Sequence, residues 1–149
     1  MKAYDFAQLQ ARWYPSMVEI NNQYIYGNVR CVVNVSEKPY SDEIIQAFKR
    51  CGISFYHFPL SETTADMSLE NILKAVCVLK EADRNGFPAI VHCDWGNNRS
   101  RVVAEAFYFY KTGNHFEDEY KGAKNHLVYN CNEGHLPSLQ IIENKLKNI

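Results

Sequence analysis

The 149-residue chain predicts an α/β protein, a single three-layer α/β/α domain with a mainly parallel central sheet flanked by helices. Three observations point there. Short apolar runs at Arg30 to Val35, Ile53 to Leu60 and Pro88 to His92 read as buried strands. The stretches between them carry apolar residues at helical spacing, and strands joined through helices make parallel crossovers. No linker, repeat or low-complexity tract divides the chain, so residues 1–149 read as one domain, with 1–17 an N-terminal extension.

Taken in order, residues 1–17 form an aromatic-rich lead with a short helix expected around Asp5 to Trp13. Val18 to Ile20 and Tyr24 to Tyr26 flank Asn21-Asn22-Gln23, which reads as a hairpin whose asparagines supply the turn. Arg30 to Val35 is the first buried strand. Ser41 to Arg50 follows as a short helix with Ile44, Ile45 and Phe48 on one face, stopped by Gly52. Ile53 to Leu60 is the next strand. In Ser68 to Arg84, residues Leu69, Ile72, Leu73, Val76 and Leu79 fall at core-facing spacing, and the helix ends near Gly86. Pro88 to His92 is the central strand. Arg101 to Lys111 reads as a helix buried on one face through Val102, Val103, Ala106, Phe107 and Tyr110. Helices over Glu117 to Asn125 and Ser138 to Lys147 complete the chain, with Pro137 suited to start the last.

Between the central strand and its following helix lies His92-Cys93-Asp94-Trp95-Gly96-Asn97-Asn98-Arg99-Ser100. A strand ending at a helix start aims backbone N–H groups and the positive end of the helix dipole at one point, which makes an anion site. Cys93 would sit at its floor. The same field favours a thiolate, lowering a free thiol pKa of ~8.5 to roughly 3.5–7.5 and making it nucleophilic at neutral pH. Arg99 offers the planar fork that binds two phosphate oxygens, a task lysine cannot share. Gly96 lets the backbone approach an oxyanion. Residues Asp94, Trp95, Gly96, Asn97, Asn98 and Arg99 are therefore the expected phosphate cradle. Ser100 can hydrogen-bond the cysteine sulfur and help it leave, and His92 orients the loop and tunes the thiol. A buried strand-end cysteine with a helix-capping arginine would also match Cys93 and Arg99 alone. The His, Gly and Ser at their offsets favour the catalytic reading.

The composition bounds the partners. A formal charge of -1 with 16 scattered basic residues gives no general attraction to nucleic acid or to an anionic membrane. No run approaches membrane-spanning length and the start lacks the apolar core of a signal peptide, so a cytoplasmic location is the expectation. The 5 cysteines, Cys31, Cys51, Cys77, Cys93 and Cys131, have no paired spacing that suggests a disulfide scaffold or a zinc site. His57, His115, His126 and His135 have no metal-like spacing, and no cofactor is implied.

The loop resembles the H-C-x-x-G-x-x-R-S/T signature of the protein tyrosine phosphatase superfamily, and its surroundings resemble the small dual-specificity phosphatases. Cys31-Val-Val-Asn-Val-Ser36 is similar to that family's strand before a short helix, and Ile53 to Leu60 to its strand leading to the acid loop. The likeness runs from about Ile20 to the C-terminus. It implies a general acid in Phe58 to Met67, where Glu62 stands at the position usually held by aspartate and Asp66 lies four residues later. A solvated loop charge at Glu62, and a helix N-cap or first-turn carboxylate at Asp66, are the competing structural roles. The resemblance also implies a loop-supporting amide at Asn34, with an ordinary strand-end asparagine as the competing reading, and it makes Cys31 the candidate for a protective disulfide to Cys93, with a core-filling thiol as the competing reading.

The implied function is a metal-independent phosphatase acting on phosphotyrosine through a phosphocysteine on Cys93, with phosphoserine and phosphothreonine added if the cleft is shallow. The expected partner is a phosphorylated protein or peptide, or a small phosphomonoester. Asp94, Trp95, Asn97 and Asn98 add no cation to the loop, which disfavours phosphoinositides. Three alternatives stand beside it. One is a weakly active or inactive phosphate-recognition module. A second is an RNA 5'-triphosphatase, suggested by Gly96-Asn97-Asn98-Arg99-Ser100 but lacking a basic RNA groove in the composition. The third is oxyanion reduction or sulfur transfer on the same kind of loop.

Overall fold

Leu, Gln, Ala and Arg are all good helix formers, yet Leu9–Arg12 is a strand, β1, where the sequence predicted a short helix. Pairing overrides propensity here. In the computed structural model, which describes residues 9–61, 68–94 and 99–112, β1 lies parallel to β4 (Ala89–His92) with Leu9 opposite Ala89 and Arg12 opposite His92. Leu9 and Ala11 are buried and alternate with half-buried Gln10 and Arg12, the period of a strand. This part of the expected N-terminal extension is thus built into the sheet.

The second departure follows directly. Where a hairpin was expected, Met17–Ile20 forms α1 and Gln23–Tyr26 forms α2, each a single turn. Ser16 and Glu19 make a capping box, with the Glu19 N–H donating to Ser16 Oγ at 3.2 Å and the Ser16 N–H to Glu19 Oε1 at 3.2 Å. Asn22 caps α2 by accepting the Tyr24 N–H at 2.9 Å. The asparagines serve helix ends rather than a β-turn.

The remaining described elements fall where the sequence placed them, with shorter strands. They are β2 (Cys31–Asn34), α3 (Asp42–Arg50), β3 (Ser54–His57), α4 (Leu69–Arg84) and α5 (Arg99–Thr112). Ser41 and Ser68 cap α3 and α4 by accepting the Ile44 and Asn71 N–H groups. The N-cap of α4 is therefore Ser68, not Asp66. Gly52 and Gly86 follow the two helices at φ of 70° and 72°, a conformation that favours glycine.

The strand order is β1-β4-β2-β3 and all pairings are parallel. Each strand therefore points its C-terminal end the same way, and β4 runs between two neighbours. The pleat divides its residues between two cores. Ala89, Val91 and Cys93 pack with Ile72, Val76 and Leu79 of α4 and with Val102, Val103 and Phe107 of α5. Ile90 packs on the other side with Ile20, Tyr26, Ile44 and Phe48. That is a three-layer arrangement: α4 and α5, the sheet, then α1 to α3.

The helix α5 departs from the one-sided burial expected of it. Every residue from Arg99 to Phe107 is buried, including Arg101 and Glu105. The helix packs against α4, β1 and β4, so its polar residues are enclosed as well as its apolar ones. The helices predicted over Glu117 to Asn125 and Ser138 to Lys147 lie outside the described residues.

Candidate active site

Adjacent residues at the end of a strand point to opposite faces, and this separates His92 from Cys93. His92 ends β4 among aromatic rings on the α3 side, whereas Cys93, 2% exposed, belongs to the core formed with α4 and α5. The chain re-enters regular structure at Arg99, the first residue of α5. Strand, loop and helix thus follow in the order the sequence required.

Within that turn, the Cys93 Sγ lies 3.4 Å from Ser100 Oγ, hydrogen-bond distance for sulfur. Arg99 is 3% exposed, and two of its contacts fix its plane. Its Nη1 donates to the Leu60 carbonyl at 3.1 Å, and its Nη2 to Asp94 Oδ2 at 3.0 Å. Glu37 Oε1 stands 3.9 Å from Nη1. The arginine is thereby held at the start of the helix beside the cysteine's loop, with carboxylates from two different segments on its guanidinium.

His92 is fully buried and has a partner at each ring nitrogen. Its Nε2 lies 2.5 Å from the Tyr40 hydroxyl, and its Nδ1 lies 3.2 Å from the Cys93 carbonyl. Burial pushes the imidazole pKa down to about 4, against smaller opposing effects of the Cys93 carbonyl and Asp94, while His57 adds to the lowering. Burial also raises the Tyr40 pKa, so its phenol keeps its proton. Tyr40 therefore donates to Nε2, and Nδ1–H donates to the Cys93 carbonyl, which fixes one neutral tautomer. A neutral, doubly anchored His92 orients the backbone at Cys93.

Rings clamp that histidine. Tyr14 meets it edge-on at 5.2 Å and Tyr40 lies at 5.5 Å, with Phe48 5.1 Å beyond Tyr40. Tyr14 also donates its N–H to the Asp94 carbonyl at 3.1 Å and its hydroxyl to the Pro39 carbonyl at 2.8 Å. Sequence reading missed Tyr14, Tyr40, Glu37 and the Leu60 carbonyl. The density of aromatic residues before Ser16 and at Tyr40 was the one available signal.

Two sequence expectations are corrected by the register. Among the described residues the Asn34 side chain bonds its own segment rather than the cysteine loop: its Oδ1 accepts the Ser36 N–H at 2.9 Å and hydroxyl at 2.6 Å, and its Nδ2 donates to the Lys38 carbonyl at 2.8 Å. It shapes residues 34–38, the segment that carries Glu37 and leads to Tyr40. Cys31 pairs with Ala89, four positions before Cys93. At about 3.3 Å per residue that is ~13 Å along the sheet, beyond the reach of a disulfide. Burial also pushes the Cys31 thiol up to about 12. Cys31 is a core residue.

Six of the predicted site residues, Trp95, Gly96, Asn97, Asn98, Glu62 and Asp66, lie outside the described residues. A surface cavity of about 740 Å³ lined by Tyr24, Tyr26 and Cys51, and another of about 330 Å³ lined by Arg30, Tyr56 and Phe87, include neither Cys93 nor Arg99.

No family model matches the chain. It is 32% identical over 87 residues to a probable dual specificity protein phosphatase H1 homolog of Fowlpox virus (strain NVSL), a match covering 54% of this chain and 52% of that protein. The chain thus spans about half the length of that curated relative. Among solved structures, PTPMT1 in complex with PI(5)P superposes with a TM-score of 0.78 at 16% identity, covering 95% of this chain and 94% of that one. A mutant form of Tk-PTP superposes with a TM-score of 0.73 at 21% identity, covering 92% and 90%. The chain shares the fold of these phosphatase structures, a parallel sheet with flanking helices, the fold class expected from the sequence.

Proposed function

We propose that this dual-specificity phosphatase-like chain is a metal-independent phosphomonoesterase that works through a phosphocysteine on Cys93. The observation that carries the reading is the pairing of Cys93 Sγ with Ser100 Oγ at the C-terminal end of a central strand, beside a buried arginine that opens the next helix. In the first step Cys93 Sγ attacks phosphorus as the bond to the leaving oxygen breaks. Arg99 binds the non-bridging oxygens and stabilises their charge, aided by N–H groups at the start of α5. The leaving oxygen takes a proton from a carboxylic acid, a role for which Glu62 is the first candidate and Asp66 the second. Water then attacks the phosphocysteine, the same carboxylate accepts its proton, and the sulfur leaves as a thiolate held by the Ser100 hydroxyl.

The neutral tautomer of His92 fits this scheme as a positioning group. With Nε2 accepting from Tyr40 and Nδ1–H donating to the Cys93 carbonyl, it has no nitrogen left to exchange protons with substrate.

Phosphotyrosine in proteins is the proposed substrate, with phosphoserine and phosphothreonine as further substrates, and the proposed compartment is the cytoplasm. Asp94 beside Arg99 supports an isolated phosphomonoester over a polyanionic lipid headgroup, because a carboxylate at the cradle repels additional phosphates. The test is single-turnover hydrolysis of an aryl phosphate in reducing buffer with a chelator. Wild type should release product, Cys93→Ser should release none while still binding phosphate, and Arg99→Ala should lose roughly a hundred- to a thousandfold in rate. Equal turnover by Cys93→Ser would reject the covalent mechanism. Phosphate binding without turnover by wild type would identify a phosphate-recognition module.

A further inference from the structure

We propose that Asp94 is an internal competitor for phosphate on Arg99, a positioning residue that sets affinity for substrate and product rather than the speed of the chemical step. The proposal rests on the phosphatase reading above and deepens it. Asp94 directly follows the nucleophile, and its Oδ2 accepts from Arg99 Nη2 at 3.0 Å. A carboxylate oxygen and a phosphate oxygen ask the same thing of a guanidinium, an N–H aimed in plane. The donor that would take the substrate is thus already engaged by a side chain of the same loop.

Exposure decides which partner yields. The Arg99 side chain is 4% exposed and its Nη1 is fixed to the Leu60 carbonyl, whereas the Asp94 side chain is 39% exposed. The Asp94 main chain is itself held, because its carbonyl accepts the Tyr14 N–H. Turning the carboxylate to water therefore releases Nη2 from Asp94 while the Asp94 main chain keeps its bond to Tyr14 and the arginine keeps its bond to the Leu60 carbonyl. Glu37 differs in kind: at 3.9 Å from Nη1 and 65% exposed, it adds negative charge near the guanidinium beyond hydrogen-bond distance.

The displacement occurs when phosphate binds, before the sulfur attacks. Its cost appears in KM and in the affinity for inorganic phosphate, and it is absent from kcat, which measures the climb from bound substrate to transition state. An enzyme built this way holds its substrate less tightly and releases its product more readily.

The experiment uses the full chain as wild type, Asp94→Asn, Asp94→Ser and Glu37→Gln, with para-nitrophenyl phosphate as substrate and inorganic phosphate as competitive inhibitor. Both Asp94 variants should lower KM and the phosphate inhibition constant by about tenfold, with kcat held within about threefold. Glu37→Gln should shift either constant by less than about threefold, as an exposed charge does. Unchanged or raised constants in both Asp94 variants, with wild type active, would overturn the proposal and leave the phosphatase reading standing. An equal gain in Glu37→Gln would also overturn it, because general charge would then explain the effect. If wild type shows no Cys93-dependent turnover, the phosphatase reading falls, and calorimetry with inorganic phosphate decides the competitor separately. Tighter binding by both Asp94 variants would uphold it, and equal or weaker binding would overturn it.

Discussion

Cys93 and His92 are neighbours in the chain and live in different environments. On the Cys93 face, α4 and α5 supply aliphatic and small residues such as Ile72, Ala75, Val76, Val102 and Val103, and among the described residues Ser100 meets Cys93 and Arg99 meets Asp94. On the His92 face the packing is aromatic, through Tyr14, Tyr40, Phe48 and Phe55, with directional hydrogen bonds at both ring nitrogens. The groups proposed to react lie on one face; the other holds the backbone from which they project. The division follows from the pleat, since a strand cannot place consecutive side chains on one side. It also means that changes on the His92 face should read out in stability before they read out in chemistry.

The largest test of that division is Phe48→Ala. Phe48 is fully buried and packs edge-on against Tyr40, so its truncation should cost about 3–5 kcal/mol in urea unfolding. The fraction that remains folded should keep its turnover rate. Loss of activity in protein shown to be folded would mean that the aromatic face takes part in the chemistry.

A somewhat smaller effect is expected from pH. The unfolded chain protonates His92 as pH falls below its ordinary value of 6.5, whereas the folded imidazole stays neutral to about 4. The unfolded state then binds more protons, so stability present at pH 7 is lost through this window, by about 3 kcal/mol at pH 4 from this group. Urea titrations at several pH values should show a shallower slope for His92→Asn than for wild type. Identical slopes would show that burial does not hold His92 neutral.

The smallest of these effects belongs to Tyr40→Phe, which keeps the ring and removes the donor to His92 Nε2. It leaves a buried acceptor unsatisfied and should lower stability by about 1–3 kcal/mol. Turnover should fall far less than in Arg99→Ala. A loss as large as that of Arg99→Ala would move Tyr40 from support to catalysis and erase the difference between the faces.

Legibility in the sequence followed the range of the interaction. The cysteine, arginine and serine are close in the chain and lie in a strand-loop-helix whose ends carry local signals, so Cys93, Arg99 and Ser100 stand out in the sequence, and the fold sets Cys93 Sγ 3.4 Å from Ser100 Oγ. Ser41 and Ser68 marked helix starts as a local rule predicts. The Ser16–Glu19 capping box was equally local and was overlooked in favour of the asparagines. Beyond the loop, Tyr40 reaches His92 across 52 positions and the Leu60 carbonyl reaches Arg99 across 39, distances over which no spacing rule operates.

By itself the sequence determined the α/β class, the helices from Ser41 and Ser68 and the placement of a thiol and a guanidinium around one turn, because each depends on periodicity, capping or short spacing. The tertiary structure decided that Leu9–Arg12 is a strand, that His92 has a single neutral tautomer, that Cys31 is out of reach of Cys93, and that Arg99 rests against Asp94. Each of these depends on which strand lies beside which and in what register, and that is set by the packing of the whole sheet rather than by any local stretch of it.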